Sequence, residues 1–469
     1  MTRPASPGSA TRATLELERR LGPSKVLTGA EACATYAVDD SDVQGVAPVC
    51  VVLATSLADV AATLAIAERH DVPVTPRAGG TGRTGGAVPM AGGVVLATHA
   101  LARIKDIDRD NLVAVVEPGV ITGALHAAVE AEGLFYGPDP NSLDSCMIGG
   151  NLAENAGGPR VFKYGATRDW VLGLEACLMG GRVVRTGKRT VKGVTGYDVT
   201  ALLVGSEGTL GVFTEATLKL VPKPRSIATA LALFSDVHGA ARAVSAIVAA
   251  GVVPRCLEML DAATLEAVRQ AGVAIDLRAG GMLLIEVDGD DPEPSLLRVG
   301  EVAAAAPGCL DVVVAQDAAQ RDRLWAARRM LSKATRKLAR HKLSEDIVVP
   351  RTRIADLLAR TDEIAQQTGI RNLSYGHAGD GNLHVNFLWN DDLERPGVDR
   401  SIELLMRATV AMGGTLSGEH GIGVTKAAYL PLEQSEDLIA LQRDIKRAFD
   451  PRGLLNPGKI FPAGGHTAC

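Results

Sequence analysis

Aromatic side chains are scarce, with 7 Phe, 3 Trp and 6 Tyr making up 3% of 469 residues. So few rings give no stacking platform for a large aromatic substrate. No basic excess exists either: Lys and Arg total 49 against 54 Asp and Glu, for a net charge of -5. The cations are scattered rather than gathered on one stripe, which argues against a nucleic-acid partner. Long apolar runs are missing. Ala243 to Val253 is too short and too rich in Ala and Gly to cross a bilayer, which takes roughly 20 apolar residues, so any membrane association would be peripheral. The opening MTRPASPGSATRATLELERRLG has no apolar core of a secretory signal, and a cytoplasmic location is expected. The seven cysteines, Cys33, Cys50, Cys146, Cys177, Cys256, Cys309 and Cys469, include no CxxC pair. That pattern fits free thiols in a reducing compartment and excludes an iron–sulfur cluster of the chain's own. No strand is followed by GxGxxG entering a helix, and no glycine loop ends in Gly-Lys-Ser/Thr. Neither a doubly wound nicotinamide site nor a nucleotide-triphosphate loop is indicated.

What is present is a globular composition, 46% hydrophobic and 22% charged, in a chain longer than one core usually serves. Residues 1–44 read as an N-terminal arm with a helix around Leu15, Leu17 and Leu21. From Val46, short β-branched runs alternate with Gly/Pro turns around an Ala-rich helix, Ser56 to His70. Strands over Val171 to Arg185 and Gly211 to Val221 close at PKPR, so residues 45–224 form a first domain. Residues 225–434 alternate helices (Val237 to Ala250, Ala262 to Ala271, Asp317 to about His341) with strands such as MLLIEV, as a substrate or cap domain would. Residues 435–469 hold a helix, Ser435 to Phe449, then FDPRGLLNPGKIFP, expected to return to the first domain. The class is α+β.

Three glycine segments stand out in the first domain. Pro76, Arg77, Ala78, Gly79, Gly80, Thr81, Gly82, Arg83 and Thr84 open PRAGGTGRTGG, with five glycines in eleven residues. Consecutive peptide N–H groups in such a loop can make an anion nest suited to a pyrophosphate. In the second, Gly149, Gly150, Gly157 and Gly158 alternate with Ser142, Asn151 and Asn155, after Pro140 and Asn141. The third, GSEGTLG, holds Gly205, Glu207, Gly208 and Gly211. Each alone is a weak signal, but three in one domain argue for a long polar cofactor lying across it.

The strings PRAGGTGRTGG, PDPNSLDSCMIGGNLAENAGGPRVFKYGATRDWVLGLEACL and GYDVTALLVGSEGTLGVFTEATLKL resemble the FAD-binding domain of the vanillyl-alcohol oxidase and p-cresol methylhydroxylase superfamily. The resemblance runs from about residue 45 to the C-terminus. It implies a two-subdomain FAD-binding domain plus an α+β cap domain with an antiparallel sheet. It also makes Pro76 to Gly86 the pyrophosphate loop, and the Gly150, Asn151, Asn155 and Gly157 group part of the flavin cradle. Where some members attach FAD to a histidine, this chain has Arg83 and Thr84, so non-covalent FAD is implied.

Farther on, YGHAGDGNLHVN places His377 and His384 seven residues apart, and GEHGIG places Glu419 beside His420. An odd spacing in one strand would put the two imidazoles on opposite faces. The intervening Gly-Asp-Gly is a turn signal, and a hairpin there could bring them to one mouth. Two histidines and a carboxylate leave open positions on a metal, as catalytic sites do. GHAGDGNLH and GEHGIG also resemble one branch of the superfamily, the D-lactate, D-2-hydroxyglutarate and glycolate dehydrogenases. That resemblance implies His377, His384 and Glu419 as ligands of a divalent metal (zinc first, manganese or iron as alternatives) and His420 as general base. It implies Arg328 in LWAARRMLS as the carboxylate-binding arginine, with Ser332 one turn on and Lys342 as a second cation. Asn382 would touch the substrate, and Asn456 and Lys459 would fold back onto the flavin.

The activity expected is oxidation of a D-2-hydroxy acid to the 2-keto acid, the hydride passing to flavin. With no cluster in the chain, electrons leave to an external acceptor: a quinone, an electron-transferring flavoprotein, a cytochrome or an iron–sulfur partner subunit. A homodimer is a prior from the frequency of two-fold symmetry. Three rivals stand beside this reading: a flavoenzyme of the same fold acting on phenols or forming ether lipids, a metal-dependent hydrolase, and a flavin subunit of a larger complex.

Overall fold

The computed structural model describes residues 6–462, apart from the side chains of Ser332 and Lys333. Its chain divides into two compact units. The first holds residues up to Gly158, Gly165–Lys223 and the stretch from Glu419 on, and the second holds Pro159–Tyr164 and Pro224–Gly418.

In the first unit, β1 (Val26–Leu27), β2 (Cys50–Leu53), β3 (Val74–Arg77) and β4 (Val94–Ala97) form a sheet of order β1-β2-β4-β3. Strands β2, β4 and β3 run parallel, which requires a crossover between them. The helix Leu57–Arg69 provides one, capped at its start by Ser56, whose hydroxyl accepts from Asp59 N. The opening helix, Pro7–Leu21, buries Ala13 and Leu17 in the same core as Val52, Val60, Leu64 and Leu96. Its apolar spacing gives it a face to bury, so the segment set apart in sequence as an arm packs within this unit. A second sheet takes β5 (Ile104–Asp108), β6 (Val113–Val116), β8 (Val171–Cys177), β9 (Val183–Gly187) and β10 (Val212–Lys219) in the order β5-β6-β10-β8-β9. Its neighbours are all antiparallel. The short β7 (Leu134–Phe135) pairs with β11 (Val221–Pro222). Near the C-terminus, Asn456 N donates to Val74 O at 2.7 Å, beside β3.

The second unit is built on one seven-stranded antiparallel sheet of β12 (Ser226–Phe234), β13 (Cys256–Asp261), β14 (Gly281–Gly289), β15 (Cys309–Val314), β16 (His341–Val348), β17 (Arg371–His377) and β18 (Asn382–Trp389). The order is β15-β12-β14-β13-β17-β18-β16. The helices Ala262–Gln270 and Ala318–Thr335 cover one face, packing Leu265, Val268, Ala327 and Leu331 against Leu260, Met282, Leu373 and Tyr375. The helix expected from Asp317 to about His341 starts where the sequence signals, with Asp317 accepting from Gln320 N. It ends at Thr335 because His341 opens β16, whose residues pair along β18. Among the described residues no helix is long and apolar enough to cross a membrane.

Candidate active site

In the first unit the glycine segments converge. PRAGGTGRTGG leaves β3, and its buried Thr84 donates through Oγ1 to the His420 carbonyl at 3.0 Å, while Val424 N donates to Thr84 O at 2.7 Å. The Glu207 carboxylate accepts from two successive peptides, Ile422 N at 2.8 Å and Gly423 N at 2.7 Å. Asn456 donates through Nδ2 to Gly86 O (3.0 Å) and Glu207 O (2.7 Å), and the Lys459 ammonium reaches Val88 O. The loop carrying His420 is thereby fastened to the first and third glycine segments. In the second segment, Asn155 takes a left-handed conformation (φ 55°) at the end of the helix Ile148–Glu154, and its Oδ1 accepts from Arg168 N. Gly158 has φ +132° and no room for a Cβ, which would stand 2.4 Å from Asp139 O. Not every residue of the first loop faces inward: Arg83 is exposed, and Arg77 lies over the Tyr36 ring while donating to Val38 O.

Charged groups cluster behind this loop. Glu154 lies against Gly86 and Gly421, leaving no space for a Cβ at either. Burial, then the neighbouring carboxylates of Glu207 and Asp39, push Glu154 well up. Burial also raises Glu207, against the opposing pull of its two peptide N–H groups. It lowers Lys459 to about 8. These are the shifts expected when low-dielectric surroundings penalise charge.

In the second unit a polar stripe crosses the helix-covered face of the sheet. Strands β17 and β18 form the hairpin that Gly-Asp-Gly signals, with His377 opposite Asn382 and Tyr375 opposite His384. Directly opposed and alternate residues share a face, so the turn puts both histidines on one side. Their ring centroids are 5.4 Å apart at 87°. Glu258, opposite His377 on β13, is fully buried. One oxygen meets His377 Nδ1 and the other accepts from Arg328 Nε, both at 2.5 Å. Burial pushes the Glu258 carboxyl up, but its electrostatic and hydrogen-bond ties to His377 and Arg328 outweigh it and bring it to about 2. Arg328 and Lys342 both lie over the Tyr375 ring, at 5.7 and 5.8 Å, and Lys342 donates to Thr335 Oγ1. The Arg328 charge is therefore turned to the sheet rather than to solvent. Ser332 falls in the same helix, its side chain outside the described residues.

Asp346, opposite His384 on β16, accepts from Asn382 Nδ2 (2.6 Å), Ser417 Oγ (3.1 Å) and Gly418 N (2.9 Å). Asn382 thus spends amide donors on β16, the second going to Ile347 O. The Asp346 bonds set the peptide just before Glu419. His377 and His384 thus offer two ring nitrogens on one face of this sheet, and Glu419, named with them in sequence, belongs to the first unit. This nitrogen and carboxylate set suits zinc, manganese or iron.

Sequence reasoning misses Glu258 and Asp346. The only signal is an acid inside an apolar strand, RCLEML and SEDIVV, which calls for a buried partner without saying which. Glu207 belongs to the cofactor segments by resemblance, and its bonds to Ile422 and Gly423 have no sequence signal.

Residues 48–187 match the family described as FAD binding domain, and residues 223–460 match FAD linked oxidases, C-terminal domain. Among curated proteins, the glycolate oxidase subunit GlcD of Escherichia coli (strain K12) is 38% identical over 96% of this chain and 91% of its own length. D-lactate dehydrogenase of Anaerostipes hadrus is 33% identical, covering 95% of this chain and 96% of that protein. D-2-hydroxyglutarate dehydrogenase of Stutzerimonas stutzeri (strain A1501) is 32% identical, covering 96% and 98%. The solved structure of p-cresol methylhydroxylase with substrate bound shares the fold, with a TM-score of 0.83 at 17% identity over 100% of both chains. Fold, cofactor domain and relatives agree, and this chain belongs to the FAD-linked oxidases, as an oxidoreductase of the branch in which those dehydrogenases fall.

Proposed function

We propose that this chain oxidises a small D-2-hydroxy acid, of the lactate, glycolate or 2-hydroxyglutarate type, to the 2-keto acid. The observation that carries the reading is Arg328 and His377 sharing one buried carboxylate beside His384. It supports the reading because an arginine, a residue suited to a carboxylate, and two imidazoles, donors suited to a metal, stand on one sheet face. FAD, bound along the three glycine segments without a covalent link, supplies the two-electron acceptor. A divalent ion held by His377, His384 and Glu419 supplies polarisation of the substrate hydroxyl, lowering its pKa.

The protein's own groups do the rest. Arg328 grips the substrate carboxylate through its planar fork, with Lys342 as a second cation and Ser332 and Asn382 bordering the substrate. His420 accepts the hydroxyl proton, a contribution of about 10² to 10⁴-fold. Electrons then pass to an external acceptor. The relatives' designation as a glycolate oxidase subunit favours a second form of the reading, in which a partner subunit carries them onward.

The test is the flavin absorbance of the purified protein under anaerobic addition of D-lactate, glycolate and D-2-hydroxyglutarate in turn. Bleaching by at least one acid, none by its L-enantiomer where one exists, and loss of the response after chelation with recovery on zinc or manganese are expected. An intact flavin spectrum with all three acids and metal present would remove the proposed activity.

A further inference from the structure

We infer that Glu258 is a positioning residue that couples the metal-facing histidine to the substrate-binding arginine, an inference that rests on the function proposed above. Its carboxylate is fully buried and divided between two tasks: one oxygen holds His377 Nδ1 and the other holds Arg328 Nε. A neutral imidazole whose Nδ1–H donates to a carboxylate presents the Nε2 lone pair outward. Such a carboxylate fixes the ring's tautomer and orientation and raises its basicity as a ligand. The second oxygen does for Arg328 what the first does for His377. It fixes the guanidinium plane through Nε and so sets the direction of the terminal amino groups, the fork by which an arginine grips a carboxylate. Strand register makes the coupling: Glu258 stands opposite His377, while Arg328 comes down from the covering helix Ala318–Thr335. Metal affinity and substrate affinity therefore share one carboxylate.

Glu286 is the natural control. It lies on the neighbouring strand, on the same face, and receives Trp325 Nε1 at 2.7 Å and Thr229 Oγ1 at 2.9 Å. It is a buried, hydrogen-bonded carboxylate with no bond to either histidine among those described.

The experiment titrates zinc, and separately manganese, into metal-stripped, FAD-loaded wild-type, Glu258→Gln and Glu286→Gln proteins by calorimetry, followed by steady-state kinetics on whichever acid bleaches the flavin. Glutamine keeps the shape but offers one acceptor oxygen, so it cannot serve both donors. Glu258→Gln should bind the metal about 10- to 100-fold more weakly and raise KM for the acid, while Glu286→Gln binds metal as wild type does. Retained flavin and a cooperative melt show that the variants fold. Equal metal affinity in wild type and Glu258→Gln overturns the inference, as does equal weakening in both variants, the mark of a merely structural carboxylate. Wild type that binds neither metal removes the metal assignment of the proposed function instead, a distinguishable result.

Discussion

The side chain of Thr84 donates to the main-chain carbonyl of His420 at 3.0 Å, joining two glycine motifs 336 positions apart. The loop assigned to the pyrophosphate and the loop of the expected general base form one bonded layer.

Gly423 is closely packed in that layer. It has φ +52°, and a Cβ there would stand 2.2 Å from Thr84 O and 2.5 Å from Thr84 Oγ1. Backbone cannot yield cheaply, and the left-handed conformation costs a non-glycine residue about 1–2 kcal/mol by itself. Gly423→Ala should lower stability by at least that amount and release flavin. A flavin-to-protein absorbance ratio and a urea midpoint both equal to wild type after gel filtration would refute this.

Arg328→Lys keeps the charge but removes the Nε donor to Glu258. Hydrogen bonds to charged groups are worth about 1.5–3 kcal/mol, so KM for the acid should rise about 10- to 100-fold, with flavin content unchanged. Michaelis curves decide the matter; an unaltered KM would show that the arginine does not hold substrate.

Asp261 caps the helix Ala262–Gln270 and accepts from Thr264 N at 2.8 Å. Burial, the largest influence, raises it from 3.8 to about 6 against those hydrogen bonds. A raised folded-state pKa means the native state holds the proton more tightly. That stabilisation is fully present below about pH 4 and is lost as pH rises through 6. An asparagine here does not titrate. The stability of Asp261→Asn relative to wild type should therefore improve between pH 4 and 7, by up to about 3 kcal/mol at 1.36 kcal/mol per unit. Urea unfolding across that range, with no change in the difference, would contradict it.

Cys33, Cys50, Cys146, Cys177 and Cys256 are buried free thiols, Cys309 is partly exposed, and Cys469 lies outside the described residues. Burial pushes Cys50 up to about 11 and Cys177 up to about 12, far from the reactive thiolate range. A thiol reagent should leave the five buried groups slow in the native protein and label all seven after urea without reductant. Fewer than seven would reveal a disulfide.

Local chemistry is legible in the residues themselves. Ser56 and Asp317 cap helices where their side chains announce it, and Gly-Asp-Gly turns the hairpin that brings His377 to His384. Each depends on a few neighbouring residues, whose turn and capping preferences survive in any context. The end of the Asp317 helix is less legible, since HKLSEDIV becomes a strand only by pairing with β18. The family is recognisable because the three glycine segments, GHAGDGNLH and GEHGIG are short strings that resemble its members in order.

What the residues determined by themselves was therefore the inventory: three glycine segments, two histidines, Glu419, an arginine on a helix. The tertiary structure alone decided which carboxylates serve them. Glu258 reaches a histidine 119 positions away and an arginine 70 away, and Glu207 reaches peptides 215 and 216 positions on. Partnerships at that range follow from strand register, where a slip of one residue would turn Glu258 to the opposite face. No local pattern encodes that choice; the packing of the whole sheet makes it.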